Sequence, residues 1–208
     1  MASLRARRRS ATNANRNLAT GVLFCAALAQ GAASAGVERT RSDLGLHGWR
    51  MSEGALQVEI VQRLPDQTRA YFEARGFDAA AAEVIAKTCV MQTIFRNVSK
   101  SVVIDVDLNR WSRRNDDGTG PLKLREDWSV QWQEGQVSQA ARIALHWSLF
   151  PTVQLFAPGD YNWGMISYGL EPGSVFDLVL AWREDGEERE AVIDGIVCAP
   201  DVEIPLGE

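Results

Sequence analysis

The chain has 208 residues, of which 46% are hydrophobic and 24% are charged. These proportions are ordinary for a globular protein and exclude a fibrous, collagen-like or mostly disordered chain. The length suits one domain, and the formal net charge of −5 argues against general binding of nucleic acid.

The N-terminal segment has the composition of a targeting signal. Residues 1–35 contain five arginines and no acidic residue, followed by an apolar run from Gly21 to Ala29 and then Ala33-Ser34-Ala35. This order is typical of a secretory signal peptide. A retained N-terminal anchor is the alternative, but the run is shorter than the ~20 residues that a spanning helix needs. We therefore expect cleavage before Gly36, a periplasmic or secreted protein, and no membrane span in the mature chain.

Cleavage would leave a mature chain with 17 basic and 27 acidic residues, a net charge of −10. It would also leave two cysteines, Cys89 and Cys198. Two thiols in one small exported domain usually pair, so we predict a disulfide between them. A thiol pair that binds a metal is the alternative.

The first part of the mature chain is predicted to contain little β-sheet. Residues 36–54 are polar and lack a period, which indicates an extended leader before a single domain over 55–208. The alternation at 56–61 predicts a strand. A helix is predicted from Pro65 to Arg75, and Asp78 is placed to cap a second helix that runs to Lys87.

From residue 88 the pattern becomes mainly β. Alternating apolar residues predict strands at 89–95 and 102–108, and turn residues predict a loop at 115–121. Trp128 and Trp132 fit a strand or a helix equally, whereas Ser138 is placed to cap a helix with Ala140, Ile143, Ala144 and Trp147 on one face. Further strands are predicted at 152–156, 163–168, 176–182 and 190–198, the last two joined by a hairpin at Asp185-Gly186.

These six or seven strands and two or three short helices predict a mainly β protein, an antiparallel β-sandwich with helical insertions. The segment from Val90 to Val106, with Asn97-x-Ser99 between two strands, resembles the first hairpin of bacterial immunoglobulin-like domains. The run Leu170-x-Pro172-Gly173, followed by a strand that ends at Trp182, is similar to their late-strand signature. The resemblance covers about half of the mature chain and implies an immunoglobulin-like sandwich without implying an activity. Asn97-Val98-Ser99 also matches an N-glycosylation sequon and equally suits a plain turn.

Catalytic and metal-binding signals are sparse. The chain has two histidines, His47 and His146, and a nucleophile–base device needs one of them. The apolar surroundings of His146 predict a packed side chain, and a hydrolase that uses His146 is one alternative. A copper-handling protein is another alternative, in which Met51, Met91 and Met165 would bind the metal together with the histidines. The spacing of these residues matches no copper motif. We expect no cofactor and no metal site, and the enzyme question stays open with non-catalysis favoured.

Tryptophan is abundant, and its flat ring suits contacts with ligands or partners. Trp147 and Trp182 lie on apolar faces and are predicted to be core residues. Trp111 and Trp163 have Asn, Arg and Gly neighbours and are predicted to be exposed. The candidate contact residues are Trp111, Arg113, Arg114, Tyr161 and Trp163.

Charge is uneven along the chain. Residues 96–125 carry seven basic and four acidic residues, so this segment is basic on an otherwise acidic body. Such a segment could dock an acidic partner, or it could be a solvated loop. The sequence therefore predicts an exported, non-enzymatic protein of the cell envelope that binds a protein partner or assists an envelope assembly. It leaves the oligomeric state undecided.

Overall fold

The computed structural model describes residues 36–43, 45–132 and 136–202, and the predicted signal peptide at 1–35 lies outside the described residues. The described chain forms eleven strands, four α-helices and one 3-10 turn at Leu108–Arg110. The strands form two antiparallel sheets that contribute side chains to one shared core. This confirms the predicted β-sandwich with helical insertions.

The first sheet has five strands, numbered along the chain. In their order across the sheet they are β1 (Gly36–Arg41), β2 (His47–Glu53), β3 (Leu56–Gln62), β4 (Val90–Asn97) and β9 (Tyr161–Ser167). β1 and β9 are therefore its two edge strands.

The second sheet is built around one long strand. Its members are β5 (Ile104–Asp107), β6 (Ser112–Asn115), β7 (Gly118–Pro121), β8 (Val153–Phe156), β10 (Val175–Glu184) and β11 (Glu187–Val197). β11 pairs with one side of β10, while β5 and β6 pair with successive parts of its other side. β8 lies outside β5 and β7 lies outside β6, so both are edge strands.

The expectation of an unpatterned leader at 36–54 is wrong, because β1 and β2 are paired strands of the first sheet. Trp49 and Met51 point into the core and are 2% and 0% exposed. Arg50 points to the opposite face, where it pairs with Glu59 on β3. The period-2 alternation is thus present, but it spans only a few residues among many charged ones.

The predicted loop at 115–121 is also wrong in its second half. Asp116 and Asp117 form the turn of a tight hairpin, and β7 pairs with β6 directly after it. Gly120 lies against the guanidinium of Arg113, where an added Cβ would be 3.2 Å from that group. Gly120 thus lets β7 lie close to an arginine side chain, whereas Gly118, with a φ of 116°, follows the turn.

Four helices form a third layer. They are α1 (Pro65–Glu73), α2 (Ala79–Ala86), α3 (Arg125–Gln131) and α4 (Gln139–Ser148). The predicted caps of α2 and α4 are confirmed: Asp78 accepts a hydrogen bond from Ala81 N at 2.8 Å, and Ser138 accepts one from Ala141 N at 3.2 Å. Trp128 and Trp132 belong to α3 and its C-terminal cap rather than to a strand.

The helical layer covers part of the outer face of the first sheet. Its apolar side chains form a second core cluster, in which Phe72, Ile85 and Leu145 pack with Val90 of β4 and Met165 of β9. Val90 and Met165 lie on the outer face of the first sheet, opposite the sandwich core, and the helices cover them. Only the remaining part of this outer face is accessible to solvent.

The predicted disulfide is confirmed. Cys89 directly precedes β4 and Cys198 directly follows β11, and their Cα atoms are 5.4 Å apart in a bonded pair. This separation lies within the usual range for a disulfide. The bond therefore fastens the first sheet to the second.

The buried polar side chain of Asn97 helps to join the sheets. Asn97 at the end of β4 is 2% exposed, donates hydrogen bonds to Val102 O and Phe156 O, and accepts two from Ser99. The Asn97-Val98-Ser99 segment is thus a turn in which the Asn side chain makes all its hydrogen bonds within the protein.

Among the described residues, no helix is both long enough and apolar enough to cross a bilayer.

Candidate binding surface

The predicted contact residues fall into two separate groups. Arg113 and Arg114 lie on β6 in the second sheet, whereas Tyr161 and Trp163 lie on β9 in the first sheet. Arg114 is exposed and pairs with Asp177 at 3.1 Å. The structure therefore does not bring the five predicted residues together on one surface.

The expectation that Trp111 is exposed is wrong. Trp111 is 1% exposed, its ring packs against Phe95 with centroids 5.3 Å apart, and its indole N–H donates to Ala181 O at 3.0 Å. Its polar neighbours in sequence misled the prediction, because Arg110 and Arg113 can turn outward while Trp111 turns into the core. Trp111 is therefore a core residue.

Tyr161 and Trp163 are exposed, as expected of Trp163. Their exposed fractions are 64% and 65%, and both side chains lie on the outer face of β9 because residues two apart in a strand share a face. Single exposed apolar side chains are ordinary, whereas apolar side chains that lie together in one exposed patch are a feature of interaction sites.

β4 adds two residues that the sequence analysis missed. Ile94 is paired directly with Trp163 and Arg96 directly with Tyr161, so all four side chains share the outer face. The Arg96 guanidinium carbon is 5.7 Å from the centre of the Tyr161 ring. We call these four residues, Ile94, Arg96, Tyr161 and Trp163, the aromatic corner.

The aromatic corner is held in place by neighbouring polar contacts. Asn162 donates from Nδ2 to Gln154 Oε1 at 2.6 Å and accepts from Trp163 N at 2.8 Å. Further along β9, Gly164 lets the main chain of Phe150 approach, since an added Cβ would be 2.9 Å from Phe150 N. These contacts fix the strand that presents Tyr161 and Trp163.

Two arginines lie on this outer face, and they differ in whether a carboxylate pairs with them. Across β1, β2 and β3, Arg50 pairs with Glu38 and Glu59, each at 3.2 Å. Arg96 lies in the neighbouring row, and among the described residues no carboxylate forms an ion pair with it. The corner therefore combines two exposed rings, one aliphatic side chain and one cation that is free to bind an anion.

A second apolar surface lies on α4. Ile143 and Trp147 are 51% and 81% exposed, so the predictions that Trp147 is a core residue and that its face points inward are wrong. The buried face of α4 consists of Ala141 and Leu145 instead. α4 thus has apolar side chains on two faces, and the sequence pattern does not distinguish which of them packs on the sheet.

His146 is likewise exposed, contrary to the expected packed side chain. It borders a small depression with Trp128, Ser129 and Arg142 that has room for about one water molecule, about 10 Å³. Ser129 Oγ donates to Arg125 O rather than to the imidazole. Among the described residues that line this depression there is no carboxylate, so the hydrolase alternative gains no support from it.

A larger cavity, about 490 Å³, opens between the 3-10 turn and α3. Thr152 Oγ1 donates to the Glu126 carboxylate there. Burial alone would raise the pKa of Glu126, but hydrogen bonds from Thr152 and Arg125 hold it below its ordinary value. Asp127 accepts a hydrogen bond from Leu124 N at 2.8 Å. Both acids of this cavity therefore accept hydrogen bonds that fix the start of α3.

The residues proposed for copper do not meet. Met51 and Met91 are buried between the sheets, Met165 is buried under the helices, and both cysteines of the described chain are in the disulfide. Within residues 36–43, 45–132 and 136–202, no group of three or more His, Cys, Asp and Glu side chains is arranged to hold a metal ion.

No protein-family model matches the chain, and no curated protein or solved structure matches it either.

Proposed function

We propose that the mature chain is an exported, non-enzymatic protein that binds another protein of the cell envelope through the aromatic corner. The observation that carries the proposal is the exposure of Tyr161 and Trp163, about two thirds of each side chain, on one face of a fixed strand. Aromatic residues and arginine are the residue types that contribute most to protein–protein binding energy. The export signal and the disulfide support the envelope as the compartment.

The chemistry of the corner favours a partner with an acidic group beside an apolar one. Ile94 and Trp163 offer an apolar contact, and Arg96 next to Tyr161 offers a positive charge. An arginine held against an aromatic ring is well suited to bind a carboxylate, because it is already positioned and loses little freedom on binding.

Affinity capture from the native envelope tests the proposal. The exported protein is used as bait, in its wild-type form and with Tyr161→Ser plus Trp163→Ser. Because both side chains are exposed, the double variant should keep the wild-type melting temperature within about 2 °C, since surface changes are usually within 0.5 kcal/mol. We expect it to lose at least one protein that the wild type captures.

Trp147→Ser is the matched control, because Trp147 is the other highly exposed tryptophan and lies on α4. It should retain the captured protein. Capture that survives the double variant, or that is lost only in Trp147→Ser, would contradict the aromatic corner as the contact surface. Cell fractionation and N-terminal sequencing test the compartment, with Gly36 as the expected first residue.

A further inference from the structure

β8 is an edge strand with an apolar exposed face. It pairs with β5 on one side, and its Val153 and Leu155 side chains are 57% and 65% exposed. Phe156 faces inward and is 1% exposed, and Gln154 faces inward to meet Asn162. The outer face of β8 therefore presents two aliphatic side chains to solvent.

The main chain of β8 also has unpaired groups along its outer edge. Leu108 N donates to Thr152 O at 2.8 Å, so residues 152, 154 and 156 direct their backbone groups toward β5. Since successive residues in a strand alternate, the N–H and C=O groups of Val153 and Leu155 point away from β5. Among the described residues, no backbone hydrogen bond outside the sheets reaches these groups.

Three of the other described edges carry charges or a proline, and the fourth, β9, is partly covered. β11 carries a run of charges from Glu187 to Glu190, β1 carries Glu38, Arg39 and Arg41, and β7 ends in Pro121. Charges and proline are the usual means by which edge strands avoid pairing with other chains. Part of β9 is covered, because Phe150 N donates to Met165 O and Lys123 N donates to Ser167 O.

β8 differs from β1, β7 and β11, since Val153-Gln154-Leu155-Phe156 contains no charge and no proline. The acids nearest to it are already engaged: Asp105 pairs with Arg183 at 3.7 Å, and Asp107 accepts from Asn109 N at 3.0 Å. β9 is also free of charge and proline, but its edge is partly covered at Met165 and Ser167. Among the described edge strands, β8 is thus the one that a neutral, apolar strand can join along its whole length without opposing a like charge.

We propose that β8 is an interface between two copies of this chain, which pair antiparallel around a two-fold axis at Gln154. This register places Val153 opposite Leu155 of the second copy and Leu155 opposite its Val153. Both pairs exchange backbone hydrogen bonds and bring aliphatic side chains together, which is the self-complementary arrangement of a two-fold dimer. Pairing of β11 with itself would instead bring several glutamates together.

The dimer should be weak, because a four-residue edge gives a small interface. Interfaces below ~1,200 Å² are typical of transient association. We therefore expect a monomer–dimer equilibrium with a dissociation constant in the micromolar range or above. This surface lies on the second sheet, whereas the aromatic corner lies on the first, and Leu155→Lys leaves the four residues of the corner unchanged, so its test does not depend on the proposed partner.

Sedimentation velocity on the exported protein, from about 5 to about 500 μM, tests the proposal. The wild type should shift from monomer to dimer within this range, and Leu155→Lys should weaken association at least tenfold by burying a charge at the pair. Val130→Lys is the matched control, because Val130 is 84% exposed on α3, and it should associate as the wild type does. A wild type that stays monomeric throughout, or a dimer equally weakened by both variants or by neither, would overturn the proposal.

Crosslinking tests the register. Two variants, Val153→Cys and Leu155→Cys, are mixed under mild oxidation, with a tag on one to distinguish the products. Directly opposed residues of a hydrogen-bonded pair have Cα atoms about 5.5 Å apart, which suits a disulfide. The mixed product should form at least ten times faster than either homodimer, and equal rates for all three would refute this pairing.

Discussion

The carboxylate of Glu184 accepts a hydrogen bond from the backbone N–H of Ala55 at 2.7 Å, across 129 residues of sequence. Glu184 ends β10 and Ala55 lies in the turn between β2 and β3, so the contact joins the second sheet to the first. The same carboxylate accepts from the indole N–H of Trp182 at 3.2 Å. Gly54 lies so close that an added Cβ would contact the Glu184 carboxylate.

Replacing Glu184 by leucine should lower the free energy of unfolding by about 2–4 kcal/mol, because two buried N–H groups would lose their acceptor. Urea unfolding measures this change. Glu187→Leu on the same hairpin is the control, since Glu187 is exposed and its replacement should change stability by less than about 0.5 kcal/mol. Similar losses in both variants would contradict a specific role for the Glu184–Ala55 contact.

The disulfide between Cys89 and Cys198 should contribute strongly to stability, since it closes a loop with a sequence separation of 109. The chain-entropy model gives roughly 4–5 kcal/mol for a loop near 100 residues, and measured gains are often smaller. Reduction, or the paired change Cys89→Ala plus Cys198→Ala, should lower the melting temperature by about 10 °C. Two reactive thiols in unreduced, unfolded protein would refute the bond itself.

Arg69 should make stability depend on pH in the acid range. Its guanidinium donates hydrogen bonds to Asp66, Glu83 and Asp201, which ties α1 to α2 and to the C-terminal segment. Hydrogen bonds from Arg69 and then Lys87 lower the pKa of Glu83 from 4.5 to about 2, and Arg69 also lowers the pKa of Asp201. The folded protein therefore binds fewer protons here than the unfolded chain does.

The stabilisation is fully present above pH 4.5 and is lost as the pH falls toward 2. Arg69→Gln should thus lower the melting temperature by a few degrees at pH 6, because partly exposed pairs contribute about 1 kcal/mol or less each. This difference from the wild type should shrink on acidification to about pH 2. Lys100→Gln, at an exposed turn, should show no such pH-dependent difference, and a difference for Arg69→Gln that is constant with pH would argue against the ion pairs.

Gly164 should not accept a side chain. An alanine Cβ at this position would be 2.9 Å from Phe150 N and 3.0 Å from Phe150 Cα, and neither backbone atom can move alone. We expect Gly164→Ala to cost about 1–3 kcal/mol by overpacking. Gly36→Ala is the control, because an added Cβ there meets nothing within 4 Å. Equal stability of the two variants would show that β9 and Phe150 separate easily.

The sequence predicted elements well where local chemistry is decisive. Asp78, Ser138 and Asp185-Gly186 each act through their own or neighbouring backbone groups, and all three were placed correctly. Asp185 and Gly186 both have positive φ, 48° and 89°, as the predicted hairpin turn requires. Such signals need no knowledge of the rest of the chain.

The sequence predicted less well which apolar side chains are buried. Trp111 has charged neighbours yet is buried, because the chain between the 3-10 turn and β6 directs its ring into the core against Phe95. Trp147 shares an apolar helical face with Ile143, yet this face points away from the sheet. Ile94 and Arg96 were missed because their role depends on β9, which is about 65 residues away in sequence and pairs with β4 only in the folded protein. The membership of the aromatic corner is therefore set by strand register.

The position of the disulfide determines how the protein would respond to mechanical force. When the chain is pulled at Gly36 and Val202, the covalent path between these ends runs through the disulfide. This path bypasses the segment from β4 to β11 that lies between Cys89 and Cys198. Only β1 to β3, α1, α2 and the residues after Cys198 can then be extended. The second sheet, the aromatic corner and the β8 edge would stay inside a covalently closed ring, which cannot be extended while the disulfide is intact.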